Sequence, residues 1–150
     1  GAGWFEKDYE EYGYEFGTVA GRLRRLEADL PRMKKRLAAL NPPPVGPMPL
    51  LIGGSGRTIT LRLVAEHADA WNCFGPPENF AELSAILDDW CAKVGRDPSE
   101  IERTVSIGPD DVEDVGRYVD LGVDHLVVGT GDPFDLGPLE SLIAQRDALG

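Results

Sequence analysis

Pro49-Leu50-Leu51-Ile52-Gly53-Gly54-Ser55-Gly56-Arg57-Thr58 runs an apolar segment of strand type into two adjacent glycines and then Ser-Gly. Thr60, Leu61, Leu63, Val64, Ala65 and Ala68 then recur with helical spacing. A strand that passes through a glycine-rich turn into a helix leaves unpaired N–H groups at the helix start. The helix dipole adds partial positive charge there, which makes an anion site suited to phosphate. Gly53, Gly54 and Gly56 let the backbone approach a ligand, and Ser55 adds a hydroxyl donor. A tight βα turn that binds nothing has the same sequence, so both readings stay open here.

Outward from this stretch, strands and helices alternate. Leu50 to Ile52, Ala70 to Cys73, Ile101 to Ile107 and Asp124 to Val128 read as strands. Helices are predicted over Thr58 to His67, Glu78 to Val94, Asp110 to Leu121 and Leu136 to Leu149, with Gly95 and Gly122 as stops. This βαβαβαβα order predicts an α/β fold with a parallel sheet and right-handed crossovers. Four such units are half of an eightfold barrel. Toward the N-terminus, Trp4, Phe5, Tyr9, Tyr12, Tyr14 and Phe16 crowd a loop with room for one helical turn. Residues 18 to 40 form a helix with Leu23, Leu26, Leu30, Met33, Leu37 and Leu40 on one face and seven basic residues on the others. Pro31 is expected to kink it or to open its second half. A proline-rich linker from Asn41 to Pro49 follows.

The chain has 150 residues, enough for one domain with a real core, and a formal net charge of −11. Such an acidic surface repels phosphate backbones and argues against nucleic acid as a partner. No apolar run is long enough for a membrane span, and no signal-peptide pattern is present. Cys73 and Cys91 sit in apolar contexts and read as buried reduced thiols of a cytoplasmic protein. The first residue, Gly1, reads as part of a loop already under way, which suggests a fragment or a truncated product.

Several pieces, taken in order, resemble the bacterial luciferase-like monooxygenase family, in particular its F-420-dependent actinobacterial members. They are Gly1-Ala2-Gly3-Trp4-Phe5-Glu6, Leu51-Ile52-Gly53-Gly54-Ser55-Gly56, Leu61-Arg62-Leu63-Val64-Ala65 with Ala68-Asp69-Ala70-Trp71-Asn72, Val94-Gly95-Arg96-Asp97-Pro98 and Gly122-Val123-Asp124-His125-Leu126. The resemblance implies the C-terminal half of a TIM-barrel-like (β/α)8 fold. It implies an oxidoreductase that binds a deazaflavin, coenzyme F-420, or alternatively FMN, together with a small-molecule substrate. The first three strands, which in the family touch the flavin ring and the substrate, have no counterpart in the sequence. The connections at 30 to 48 and 107 to 111 are also shorter than the family's usual ones. Little or no turnover by the chain alone is therefore expected, with pairing as a homodimer or with an N-terminal half.

The resemblance assigns cofactor contacts to Gly53, Gly54, Ser55, Gly56, Arg57, Gly3 and Trp71. Trp71 ends its strand and reads equally as the wall of a planar ring site or as a core tryptophan. Gly129, Thr130, Gly131 and Asp132 follow the last strand on the same, C-terminal face. Asp132 reads as the N-cap of the last helix, with a polar site residue as the alternative. His125 at a strand start and His67 at a helix end lie away from that face, and neither reads as an acid or base. No metal-ligand spacing and no Ser-His-Asp arrangement stands out. Two rival readings remain: a non-catalytic half-barrel that self-associates, and an isomerase or aldolase-type barrel piece that holds a sugar phosphate.

Overall fold

The computed structural model describes residues 1–148, and the chain divides into two compact units, Gly1–Leu50 and Leu51–Gly150. In the first unit the aromatic loop carries a short helix, α1 (Glu6–Glu11), and a long one follows, α2 (Val19–Ala38). Thr18 caps α2 by accepting the Gly21 N–H at 3.0 Å. The helix runs unbroken with Pro31 inside it, so the basic run and the apolar stripe share one helix. Arg22 ties the preceding loop down. Its Nε donates to the Gly3 carbonyl at 2.7 Å, its Nη1 to Phe16 and Gly17 carbonyls at 3.2 Å, and its guanidinium lies 3.6 Å from the Phe16 ring centroid. The arginine is buried, yet its donors face carbonyls and its plane faces a ring, which keeps the charge compensated.

The second unit is a four-stranded sheet: β1 (Leu51–Gly53), β2 (Ala70–Phe74), β3 (Glu102–Ile107) and β4 (His125–Val128). All neighbours are parallel and the spatial order is the sequence order. Sequential parallel order is the barrel pattern, since each crossover advances one strand in the same direction. The crossovers are α3 (Thr60–His67), α4 (Pro77–Val94) and α5 (Val115–Asp120), and α6 (Gly137–Ala148) follows β4. Gly95 ends α4 in the left-handed conformation at φ 72°, as its sequence position requires.

Register divides the sheet into two faces. Ile52, Trp71 and Arg103 are cross-strand partners on one face, followed by Cys73 with Val105. These residues are buried, and Leu61, Val64, Phe80, Leu83 and Leu87 of α3 and α4 complete the core. The opposite face carries Leu51, Phe74 and Val127, which remain 50%, 61% and 45% exposed. Among the described residues, β1 and β4 each pair on one side only.

Three predicted elements differ. The stretch after β3 is a 3-10 segment, Pro109–Asp114, before α5 begins. The Asp111 carboxylate accepts the Gly108 N–H at 3.0 Å while Asp111 N–H bonds Gly108 O at 3.2 Å, and this closes a tighter i→i+3 turn. The last helix starts at Gly137, and its leading N–H is met by Asp135 Oδ1 at 2.9 Å, so Asp132 is not the cap. Asp132 lies five residues before Gly137, too far along the chain to cap it, whereas Asp135 lies two residues before it. Leu149, included in the predicted helix, lies outside the described residues. The third difference is at α3, which opens at Thr60 and not at Thr58.

Both cysteines are buried and unpaired, and burial pushes the Cys73 thiol up to about 11. Among the described residues no helix is long and apolar enough to cross a membrane. The division of the faces is testable. Leu87→Ala removes a fully buried side chain and is expected to cost about 3 kcal/mol. Val127→Ala on the open face is expected to cost under about 1 kcal/mol. Urea denaturation of both variants reads the difference.

Candidate functional site

The glycine stretch is clamped to the sheet at one point. Gly54 N–H donates to the Asn72 carbonyl at 3.0 Å, and the Gly54 carbonyl accepts the Trp71 indole N–H at 2.9 Å. Gly54 sits at φ 137°, a conformation that side chains rarely adopt. Beyond it the chain leaves the sheet, and Ser55, Gly56, Arg57 and Thr58 are exposed. The turn folds tightly over Thr60. A Cβ on Gly56 would fall 2.5 Å from Thr60 Oγ1, and one on Gly54 would fall 3.1 Å from Thr60 Cγ2.

Two side chains of α4 fix the far end of the turn. Trp90 donates its indole N–H to the Arg57 carbonyl at 2.9 Å. The Arg57 guanidinium makes a two-pronged pair with Glu82, in which Nη2 donates to Oε2 at 2.8 Å. This hydrogen bond holds the Glu82 carboxyl below the usual carboxylate range and raises Arg57 further. The pair is exposed, so it is open to exchange with a ligand.

Between these clamps the donors stay open. Ile59 precedes α3 without a side-chain cap, and Leu61 N–H donates to Gly56 O at 2.9 Å. Among the described residues, the Ser55, Gly56 and Thr58 N–H groups find no protein acceptor. A turn without Cβ atoms at its close approaches, with free N–H groups and a helix dipole behind it, has the donor set a phosphate needs. The residues present fit the phosphate of a nucleotide-like cofactor.

The open sheet face adds Thr104 and Ser106, which were not among the predicted site residues, beside Asn72. Gly53, Asn72, Thr104 and His125 form one cross-strand row, and Phe74, Ser106 and Val127 form the next, toward the C-terminal ends. Asn72 Nδ2 donates to Thr104 Oγ1 at 2.8 Å, Thr104 Oγ1 donates to the Trp71 carbonyl at 3.0 Å, and Ser106 Oγ donates to Asn72 Oδ1 at 3.2 Å. The inside of such barrels is usually filled with branched apolar side chains, and here the two central strands carry a hydrogen-bonded polar ladder.

Of the predicted site residues, Gly53, Gly54, Ser55, Gly56 and Arg57 are brought together, with Arg57 engaged by Glu82. Trp71 adjoins them but is fully buried on the helix side, stacked on Phe80 at 5.9 Å. It therefore supports the loop from beneath and offers no face to a ligand. The two-residue alternation of β2 gives the open positions to Asn72 and Phe74 instead. Gly3 belongs to the first unit. It sits at φ 67°, its carbonyl is held by Arg22, and a Cβ there would fall 2.2 Å from the Tyr9 hydroxyl. His125 opens β4 on the open face at its N-terminal end, with Nδ1 3.4 Å from Glu102 Oε1. The signal for Thr104 and Ser106 was two hydroxyl residues two apart, on the same face of the strand as Glu102.

The family described as luciferase-like monooxygenase matches residues 15–109. The chain belongs to the luciferase-like monooxygenase family. Uncharacterized proteins of Mycobacterium tuberculosis and Mycobacterium bovis are 31% identical over 112 residues, which cover 73% of this chain and 36% of each relative. The chain thus spans about a third of the length of these curated members. Among solved structures, an F-420-dependent secondary alcohol dehydrogenase in complex with an F-420–acetone adduct aligns with a TM-score of 0.66 at 13% identity. That alignment covers 77% of this chain and 58% of the other, and it shows a shared fold. The parallel, sequentially ordered sheet is accordingly part of the barrel of this family.

The clamp on the loop has a pH signature. Glu82, Glu78 and Asp97 are all held below the ordinary carboxylate range by their hydrogen bonds. Lowered carboxylates contribute stability that is complete above the unfolded value, near 4, and is lost as pH falls through the folded values. Thermal melts are expected to drop steadily below about pH 4.5. Glu82→Gln is expected to lower the melting temperature at pH 7 slightly and to flatten that acid-side slope.

Proposed function

We propose that this chain is the cofactor-binding portion of a deazaflavin- or flavin-dependent oxidoreductase, with the cofactor phosphate held at Gly53, Gly54, Ser55 and Gly56. The observation that carries the reading is the set of open N–H groups on Ser55, Gly56 and Thr58 at an uncapped helix start. Coenzyme F-420 is the favoured cofactor and FMN the alternative, and the name of the structural neighbour supports the first. The bound cofactor supplies hydride or oxygen chemistry. The chain's own residues grip and orient. The loop amides bind the phosphate oxygens, Thr60 and Trp71 hold the loop's shape, and Arg57 turns from Glu82 to the anion. The chain acts in the cytoplasm on a small-molecule substrate, with pairing to a second copy or to an N-terminal half.

A phosphate grip is read by comparing ligands with and without phosphate. Titration with FMN and riboflavin is expected to show FMN binding at least tenfold tighter to the wild type, and Gly54→Val is expected to abolish that difference. Equal affinity of the wild type for both ligands overturns the reading.

The exposed Leu51, Phe74 and Val127 and the one-sided β1 and β4 favour association. Light scattering is expected to show a dimer or larger species. Turnover by the chain alone is expected to be absent, because an unplaced ring leaves the reacting atoms outside the tolerance of about 0.5 Å that catalysis needs.

A further inference from the structure

We infer that the basic row on α2 is a docking surface for α4 of a second copy of this chain, with the two helices antiparallel. The inference rests on the reading that the chain pairs with itself, and it gives that pairing a surface away from the open sheet face.

Arg25, Asp29, Arg32 and Arg36 occupy positions i, i+4, i+7 and i+11 of α2. They therefore stand on one face, in a row about 17 Å long. Leu23, Leu26, Leu30 and Leu37 line a different face, where Leu30 is buried. The three arginines are exposed. Arg32 meets Asp29 at 2.8 Å in a pair open to water, and among the described residues Arg25 and Arg36 make no ion pair. Over its whole length α2 holds seven basic and two acidic residues. The row itself has no apolar side chain to insert among lipid chains. The chain's net charge of −11 also repels a surface of lipid or nucleic-acid phosphates. An acidic protein face of matching shape fits better.

α4 carries such a face. Glu78, Glu82, Ala85 and Asp89 occupy the same four positions, i, i+4, i+7 and i+11, and all are exposed. When two such helices lie antiparallel, position i of one meets i+11 of the other, and i+4 meets i+7. Arg25 then faces Asp89, Arg32 faces Glu82 and Arg36 faces Glu78. Asp29, the one acid in the basic row, falls opposite Ala85, the one neutral residue in the acidic row. A parallel arrangement would set Asp29 against Glu82 and leave Arg32 opposite Ala85. The charge pattern thus selects the direction as well as the partner, by repulsion in the wrong register and attraction in the right one. Glu78 and Glu82 already pair with Arg117 and Arg57 of their own chain. A carboxylate has about four acceptor sites, so each takes a second guanidinium without releasing the first.

Sedimentation velocity of the 150-residue chain tests the contact at about 0.05 M and about 1 M sodium chloride, where the Debye length falls to about 3 Å. Self-association is expected to weaken about tenfold at the higher salt, since three exposed ion pairs are screened. Pairing through apolar sheet surface alone would hold or tighten. One variant combines Arg25→Glu, Arg32→Glu and Arg36→Glu, and a second combines Glu78→Lys, Glu82→Lys and Asp89→Lys. Each is expected to associate about tenfold more weakly than wild type at low salt. An equal mixture of the two is expected to regain association, because the reversed rows complement each other. Wild-type association that ignores salt overturns the inference, as does a mixture that stays apart. A wild type that is monomeric at low salt overturns it too, whether or not it binds phosphatidylglycerol vesicles. Association kept by both triple variants but lost in Val127→Arg overturns the helix contact and leaves pairing through the open sheet face standing. Salt-sensitive association lost in the triples but kept in Val127→Arg supports the helix contact and removes the sheet face.

Discussion

The burial of Trp71 is the contact on which the second unit turns. Its indole stacks on Phe80 of α4, lies under β2, and donates its single N–H to the Gly54 carbonyl. A buried indole N–H without an acceptor is costly, so the ring and the loop position each other. The same burial sets the phase of β2. With Trp71 and Cys73 directed to the helices, Asn72 and Phe74 must face the other way. One aromatic side chain therefore fixes the root of the glycine loop and chooses which residues line the open face.

The two regions so placed differ in polarity. The loop is donor-rich because α3 starts without a side-chain cap and because glycines keep Cβ atoms away from Thr60. The ladder is acceptor-terminated because Thr104 gives its proton to a backbone carbonyl. Glu82 and Trp90 hold the end of the loop from α4, so the strand, the turn and two helices share the work of keeping the amides exposed. Arg22 plays a comparable part in the first unit, where it holds the Gly3 loop by its carbonyl and by the Phe16 ring.

Much of this was legible in the sequence. The alternation of apolar strands with amphipathic helices gave the order of elements, and the ordered short motifs pointed to the family that residues 15–109 then matched. The glycine loop stood out because three glycines closely follow an apolar run, although a turn that binds nothing has the same sequence. What escaped was side-chain phase. Trp71 and Asn72 are adjacent in sequence, and no local pattern says which of them faces the helices. The cap of α6 was missed because Asp132 and Asp135 both precede the helix, and the choice between them depends on where the helix starts, which is Gly137. The ladder of Asn72, Thr104 and Ser106 depends on register between strands about 30 residues apart, as the bond from Asn72 to Thr104 shows, and sequence carries no direct record of it.

The central claim is that the free amides of the turn are the phosphate donors. Amide shifts in a nitrogen-15 correlation spectrum test it most directly, with FMN added to saturation and riboflavin as the phosphate-free control. The Ser55, Gly56 and Thr58 signals are expected to move downfield with FMN and to stay near their free positions with riboflavin. Those three amides unmoved by saturating FMN, while signals elsewhere in the protein shift, would contradict the account.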